Sequence, residues 1–245
     1  MENYQMISLI PARGGSKRLP RKNTKMLVGK PMIAWTIEAS LKSKYISRTF
    51  VSTEDPEVKE ISLKYGAEVI DRPPKYATEL YGNGFEMLET LNHFKEVVWD
   101  MGVRPDYLAY LMATSPLRTA EQIDKAYELM LERNCTKVYT AYKMYTAADR
   151  CMYLNKRGRV EQVFEYTPRE MYLKNLGLEF QEPKYIFCSD VVITRFLDAE
   201  PFGNINFNDL TLYIIDEKDM VDVDTPYDFE LAEMILTKRI RQEIK

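Results

Sequence analysis

The sequence is poor in the residues that most often do covalent or metal chemistry. It has one histidine, His93, and three widely spaced cysteines, Cys135, Cys151 and Cys188. A single imidazole cannot build a histidine metal cage. The cysteines show neither Cys-x-x-Cys spacing nor the density of a disulfide scaffold. A Cys–His or Ser–His nucleophile is disfavoured on the same count. His93 falls in a predicted helix and reads as a surface or packing residue. The cysteines read as small buried hydrophobes in a reducing compartment. No 18-residue apolar run occurs, so no membrane-spanning helix is expected. The start, MENYQMISLIPARGG, has no long apolar region after a basic patch, so no secretory signal is expected and the cytoplasm is the expected location. Charge of one sign is missing too: 34 Lys and Arg stand against 37 Asp and Glu, a formal net charge of −3. No overall positive field exists to gather a nucleic acid. What is present is ordinary for a soluble globular chain, 45% hydrophobic and 29% charged over 245 residues. That length supports one sizeable core with at most a small appendage.

Short apolar runs alternate with amphipathic stretches through the first 142 residues. Strands are expected at Met6 to Ala12, Arg48 to Ser52, Ala67 to Ile70, Tyr107 to Leu111 and Lys137 to Tyr142. Helices are expected at Pro31 to Ser43, Glu57 to Tyr65 with Gly66 as its stop, Gly84 to Asp100, and from the Thr119–Gln122 capping box to Arg133. Such alternation predicts right-handed βαβ units and an α/β fold with a mainly parallel sheet flanked by helices, in a single domain over 1–245. Residues 143–185 break the pattern: they are polar, tyrosine-rich and without period. They read as a protruding insertion. Tyr142, Tyr145, Met152, Tyr153, Phe164, Tyr166, Met171 and Tyr172 give it more aromatic and methionine surface than a free loop carries, so it is expected to form a homodimer contact. Strands return at Val191 to Thr194 and Leu212 to Ile215, and Thr225 is expected to cap a last helix running to Gln242.

Two local patterns carry chemistry. The first is Pro11 to Asn23, PARGGSKRLPRKN, which leaves the first strand with Arg13, Lys17, Arg18, Arg21 and Lys22, five cations in thirteen residues, and no acid. Gly14 and Gly15 let backbone approach a ligand closely. Loops at the carboxyl ends of parallel strands are where open α/β sheets bind ligands, and cations with backbone N–H groups suit a polyphosphate. The spacing is neither a Walker A loop nor GxGxxG, and composition alone also allows a solvated basic loop. The second pattern is Asp222-Val223-Asp224. On an extended segment residues two apart share a face, and two carboxylates there make a hard oxygen site for Mg²⁺. Capping of the following helix is the alternative use of Asp224, while Asp228 suits the first turn and its dipole.

The loop IPARGGSKRLPRKN resembles the signature loop of the CMP-sialic acid synthetases (acylneuraminate cytidylyltransferases), including the synthetases for related nonulosonic acids. The similarity continues through GKPMIAWTIEA at 29–39, TSPLR at 114–118 and DVDTPYDFELAE at 222–233, in order along nearly the whole chain. The resemblance implies coupling of an acidic 2-keto sugar to CMP, with CTP as donor, Mg²⁺ as cofactor and pyrophosphate as product. It implies catalytic roles for Arg13, Lys17, Asp222 and Asp224, with the metal on the two aspartates. It implies a nucleotide site at Ala12, Arg13, Gly14, Ser16, Lys17, Lys22, Asn23 and Arg72, the last on the base side.

The departures fall mostly on the acceptor side. Met112-Ala113 stands where the family has Gln-Pro, and Ser189-Asp190 where it has Asn-Gly. Thr78-Glu79-Leu80 matches Ser-Asp-Thr only in part, and Arg18 replaces a small residue. Met112, Ser189 and Asp190 are therefore the acceptor-side candidates, and Asp190 is expected to repel a sugar carboxylate unless paired. Arg118 reads as an anchor of its turn. The same fold acting on another acceptor or nucleotide, or a dimeric nucleotide-binding module without synthesis, are the rival readings. The retained Lys17, Asp222 and Asp224 argue against the module.

Overall fold

The computed structural model describes residues 5–77, 85–143, 152–154, 159–162, 185–199 and 209–243. A seven-stranded sheet forms the centre, built from β1 (Met6–Pro11), β4 (Ile46–Thr53), β5 (Glu68–Asp71), β6 (Tyr107–Tyr110), β7 (Lys137–Lys143), β10 (Tyr185–Arg195) and β11 (Leu210–Ile215). Its order is β11-β7-β10-β6-β1-β4-β5. All pairings are parallel except those of β10, which runs antiparallel to both β6 and β7. Two minor ribbons complete the strands: β2 (Met26–Leu27) with β3 (Lys30–Pro31), and β8 (Met152–Leu154) with β9 (Val160–Gln162). Of the expected insertion the structure describes the β8–β9 ribbon, Arg159 and the two ends, Lys143 in β7 and Tyr185 in β10; the rest of that reading, and Cys151, lie outside the described residues.

Strand alternation divides the core. Ile10, Val51 and Ala109 face one side, where they pack with Ile33 and Ile37 of α1 (Met32–Leu41), Val58 of α2 (Pro56–Lys64) and Ile123 and Met130 of α4 (Ala120–Glu132). Leu9, Phe50 and Leu108 face the other, against Leu91, Phe94 and Val98 of α3 (Phe85–Asp100). A third cluster seats α5 (Pro226–Glu243) on the β2–β3 ribbon through Leu27, Met32, Val223, Phe229 and Leu236. Among the described residues, no helix is long and apolar enough to cross a membrane.

The helix ends follow from side-chain chemistry. Asp55 starts α2 by accepting the N–H groups of Glu57 and Val58, each at 3.0 Å, and Pro56 occupies the first turn. Gly66, at φ +91°, ends it in the left-handed region. Thr119 and Gln122 form the expected reciprocal cap of α4, at 3.2 and 2.9 Å. Thr119→Ala is expected to destabilise the fold by about 1 kcal/mol, which lowers Tm by roughly 2–4 °C in a chain of this size. Calorimetry checks it.

The topology places the site. From β1 the chain moves through α1 to β4 on one side, while β6 lies on the other. The carboxyl ends of β1 and β6 thus flank a switch point, where the flanking loops part and leave a crevice.

Candidate active site

A cleft of about 620 Å³ opens at this switch point. Pro11, Tyr110 and Met112 form its floor at the ends of β1 and β6. Arg13, Ser16, Lys17, Arg18, Lys22 and Asn23 line it from the first loop, Arg72 and Tyr76 from the segment after β5, and Thr114, Asp222 and Asp224 from the opposite wall. The two patterns singled out in the sequence, 200 residues apart, therefore meet across one cavity.

Cation–carboxylate contacts span it. Lys22 Nζ is 2.8 Å from Asp224 Oδ1, and Arg18 Nη2 is 2.7 Å from Asp224 Oδ2. Arg18, a departure from the family pattern, thus has a defined partner. Val221 and Val223 are buried in the third cluster and hold the carboxylate segment down. The Val223 N–H donates to the Thr114 carbonyl at 2.8 Å. The residues between and after them, Asp222 and Asp224, consequently turn to the cleft, as the two-residue period requires. Crowding in the cleft pushes the Asp222 carboxyl above its ordinary pKa; the Thr114 hydroxyl opposes that rise and the Asp224 charge adds to it. Asp222 is exposed to the cleft itself, so what it has lost is bulk water rather than access. The helix cap that the sequence offered to Asp224 is made by others. Asp228 Oδ2 accepts from the Thr225 N–H and hydroxyl at 2.7 and 2.8 Å, and Thr225 Oγ1 accepts from the Asp228 N–H at 3.3 Å.

The first loop is shaped from beneath by two acids that the sequence reading passed over. Glu54 Oε1 accepts the Gly14 N–H at 2.8 Å, and its Oε2 accepts from Arg72 Nη2 at 2.6 Å and Nε at 3.1 Å. Asp55 pairs with Arg21 at 2.6 Å, which holds the Asp55 carboxyl below its usual range. Arg21 sits in the left-handed region at φ 57°, where the loop turns into its 3₁₀ segment. Asn23 donates to the Arg13 carbonyl at 2.9 Å, while its buried Oδ1 has no partner among the described residues. The Asp55-Pro56 dipeptide was the available signal: an N-cap directly after a strand must lie at the strand's carboxyl end.

Other sequence readings are placed as follows. Ala12 is buried and gives its N–H to the Ser52 carbonyl, so it supports the loop without lining the cleft. His93 lies on α3 with its ring 6.0 Å from Tyr76, a packing role. Thr78, Glu79 and Leu80 lie outside the described residues, as does the Ser189 side chain. Asp190, the acid expected to repel a sugar carboxylate unless paired, is paired: it is 2% exposed, ion-paired with Arg118 at 3.1 Å and absent from the cleft lining. Burial pushes its carboxyl pKa up, with the Arg118 charge opposing. The reason is a bulge in β10, where register with β7 jumps between Cys188 and Val192 and the intervening residues leave the regular alternation.

The family profile for cytidylyltransferases matches residues 7–175, more than half of the chain and including the whole first loop. The chain belongs to the cytidylyltransferase family. It is 30% identical to N-acylneuraminate cytidylyltransferase of Escherichia coli over 98% of its own length, and spans only 54% of that relative. It is 27% identical to pseudaminic acid cytidylyltransferase of Campylobacter jejuni, covering 94% of this chain and 95% of the relative. A CMP-N,N'-diacetyllegionaminic acid synthase of Legionella pneumophila is 28% identical, with 95% of this chain and 96% of the relative covered. Among solved structures, a CMP:2-keto-3-deoxy-manno-octonic acid synthetase complexed with CTP superposes with a TM-score of 0.65 at 16% identity, over 96% of this chain and 99% of that one. A 4-diphosphocytidyl-2C-methyl-D-erythritol synthase from Anaerococcus prevotii gives 0.59 at 14% identity, over 96% and 97%. These two establish a shared fold, including its mainly parallel sheet.

Proposed function

We propose that this cytidylyltransferase moves CMP from CTP to the anomeric hydroxyl of an acidic 2-keto sugar of the nonulosonic type. The observation that carries the reading is the cleft itself, in which the loop cations Arg13, Lys17, Arg18 and Lys22 stand opposite Asp222 and Asp224. The names of the relatives support the donor and the acceptor class.

In this reading the sugar oxygen attacks the α-phosphorus of CTP. The new oxygen–phosphorus bond forms as the bond to the bridging α–β oxygen breaks, and pyrophosphate leaves with that electron pair. The hydroxyl proton passes to solvent. Arg13 and Lys17 hold triphosphate oxygens and neutralise the charge that grows on the leaving group. Arg72, fixed by Glu54, stands on the base side with Asn23. Asp222 and Asp224 fit Mg²⁺, because two hard carboxylates face one cavity and neither is committed to capping α5. When bound, the ion supplies Lewis-acid stabilisation of phosphate oxygens. No covalent enzyme intermediate is needed; positioning and charge supply the rate.

Met112 lines the cleft, and an apolar thioether there offers no polar contact to a sugar hydroxyl. Modified nonulosonic acids, with deoxy or amide groups, should therefore be preferred to N-acetylneuraminic acid. Pyrophosphate release from CTP and Mg²⁺ with a panel of keto-sugar acids tests both statements, and Met112→Gln should raise kcat/KM for N-acetylneuraminic acid. No release with any acceptor would overturn the activity, and a clear preference for N-acetylneuraminic acid would overturn the acceptor reading. The chain is further proposed to act in the cytoplasm as a homodimer through residues 143–185, a mass that light scattering at micromolar concentration would report.

A further inference from the structure

The wall carrying Met112 and Thr114 is held from behind by a buried ion pair. Arg118 is fully buried and Asp190 is 2% exposed, with Nη2 and Oδ1 3.1 Å apart. Arg118 uses the rest of its fork on the same wall. Its Nε donates to the Asp190 carbonyl at 2.6 Å, its Nη2 to the Met112 carbonyl at 2.9 Å and its Nη1 to Thr36 Oγ1 at 3.3 Å. The Thr36 hydroxyl itself reaches the Met112 carbonyl at 3.4 Å. From Thr114 the wall continues through its carbonyl to Val223, the residue between the two cleft aspartates. One guanidinium therefore ties the bulge of β10, helix α1 and the Met112 turn together, and that turn is bonded to the carboxylate segment. Beyond the Arg118 guanidinium at 3.1 Å, the Asp190 carboxylate oxygens have no hydrogen-bond partner among the described residues. A charge left in that state is costly as a mere stability device.

We infer that Arg118 and Asp190 are positioning residues for the acceptor side of the cleft: they fix the Met112–Thr114 turn against which the sugar is oriented, without touching it. The inference rests on the cytidylyltransferase reading above. The nucleotide loop hangs from a different anchor, Glu54 and Asp55, and the carboxylate segment keeps its own seat through the buried Val221 and Val223, so the two halves of the cleft should be separable by mutation.

Arg118→Lys keeps a positive charge beside Asp190 but cannot reproduce the planar fork to three acceptors. Acceptor kcat/KM should fall about 10- to 100-fold, the usual effect of misplacing a reacting group by a fraction of an ångström to an ångström. CTP binding, read by calorimetry with Mg²⁺ and no acceptor, should stay within about twofold of the parent. Asp190→Asn should split the two readouts in the same way; if it does not fold, Arg118→Lys decides. A fall in Tm with unchanged acceptor kcat/KM would overturn the inference, as would parallel losses of CTP binding and acceptor use. If the parent protein releases no pyrophosphate with any acceptor, the functional reading fails on its own terms. The positioning claim is then read from the ¹³C-methyl resonance of Met112. That resonance should shift or multiply in Arg118→Lys, and an unchanged signal would overturn the claim.

Discussion

Replacing Asp224 with alanine is expected to reduce turnover roughly 10³-fold, the scale of losing one element of preorganised transition-state electrostatics, while the protein stays folded. The fold should survive because the segment does not hang on this carboxylate. Val221 and Val223 bury their side chains in the third cluster, the Val223 N–H is held by Thr114, and the Asp224 N–H is held by Asp228. The ion pair that Asp224 makes with Arg18 is exposed and contributes roughly 0–1 kcal/mol; the pair with Lys22 is part-buried, but Lys22 still opens onto the cleft when the carboxylate is removed. Chemistry has no such redundancy. In the proposed reading Mg²⁺ takes both carboxylates, and no other Asp or Glu lines the cleft to take the place of Asp224 among the described residues. Steady-state rates across a Mg²⁺ titration, with circular dichroism as the control, check this. Parent-like synthesis at limiting Mg²⁺ would remove the metal assignment.

The parts of this enzyme that were legible in the sequence are those set by local rules. The Thr119–Gln122 cap, the Gly66 stop and the alternation of strands and helices all depend on neighbours a few residues away. The structure places each within a residue or two of expectation. The cation-rich loop and the Asp222–Asp224 pair were legible because their residue types are unusual at that spacing, and the sheet then brings both to one cleft. The contacts that were not legible depend on distant pairing. Nothing within β10 says that it runs antiparallel between β6 and β7, extends back to Tyr185, or bulges after Cys188. The motif marks Asp190 only as an acceptor-side acid in need of a partner; that the partner is Arg118, reached through the bulge, depends on residues 72 positions apart. Glu54 and Asp55 were passed over for a similar reason. They meet the first loop only because β1 and β4 pair in parallel with Pro11 beside Ser52.

That pairing separates two glycines that look equivalent in the sequence. Gly14→Ala should weaken CTP binding about 10- to 100-fold and destabilise the fold by about 1–3 kcal/mol, the range for forcing an extra carbon into a filled space. A Cβ at position 14 would lie 2.1 Å from Asp55 Oδ2 and 2.7 Å from its Cγ. Asp55 cannot step aside. Its carboxylate is fixed by the Glu57 and Val58 N–H groups at 3.0 Å and by Arg21 at 2.6 Å, so giving way would uncap α2 and release Arg21. The loop must move instead. Its Gly14 N–H would then part from Glu54, the residue that also fixes Arg72, and both walls of the nucleotide side would shift together. Gly15 is the internal control for the fold: a Cβ there meets nothing within 4 Å, so Gly15→Ala should be as stable as the parent. The requirement at position 14 is thus one of space rather than of backbone angle, and calorimetry on the two variants tests it directly. Equal thermal stability for Gly14→Ala and Gly15→Ala would show that the loop is not seated on Asp55 in the way the contacts describe.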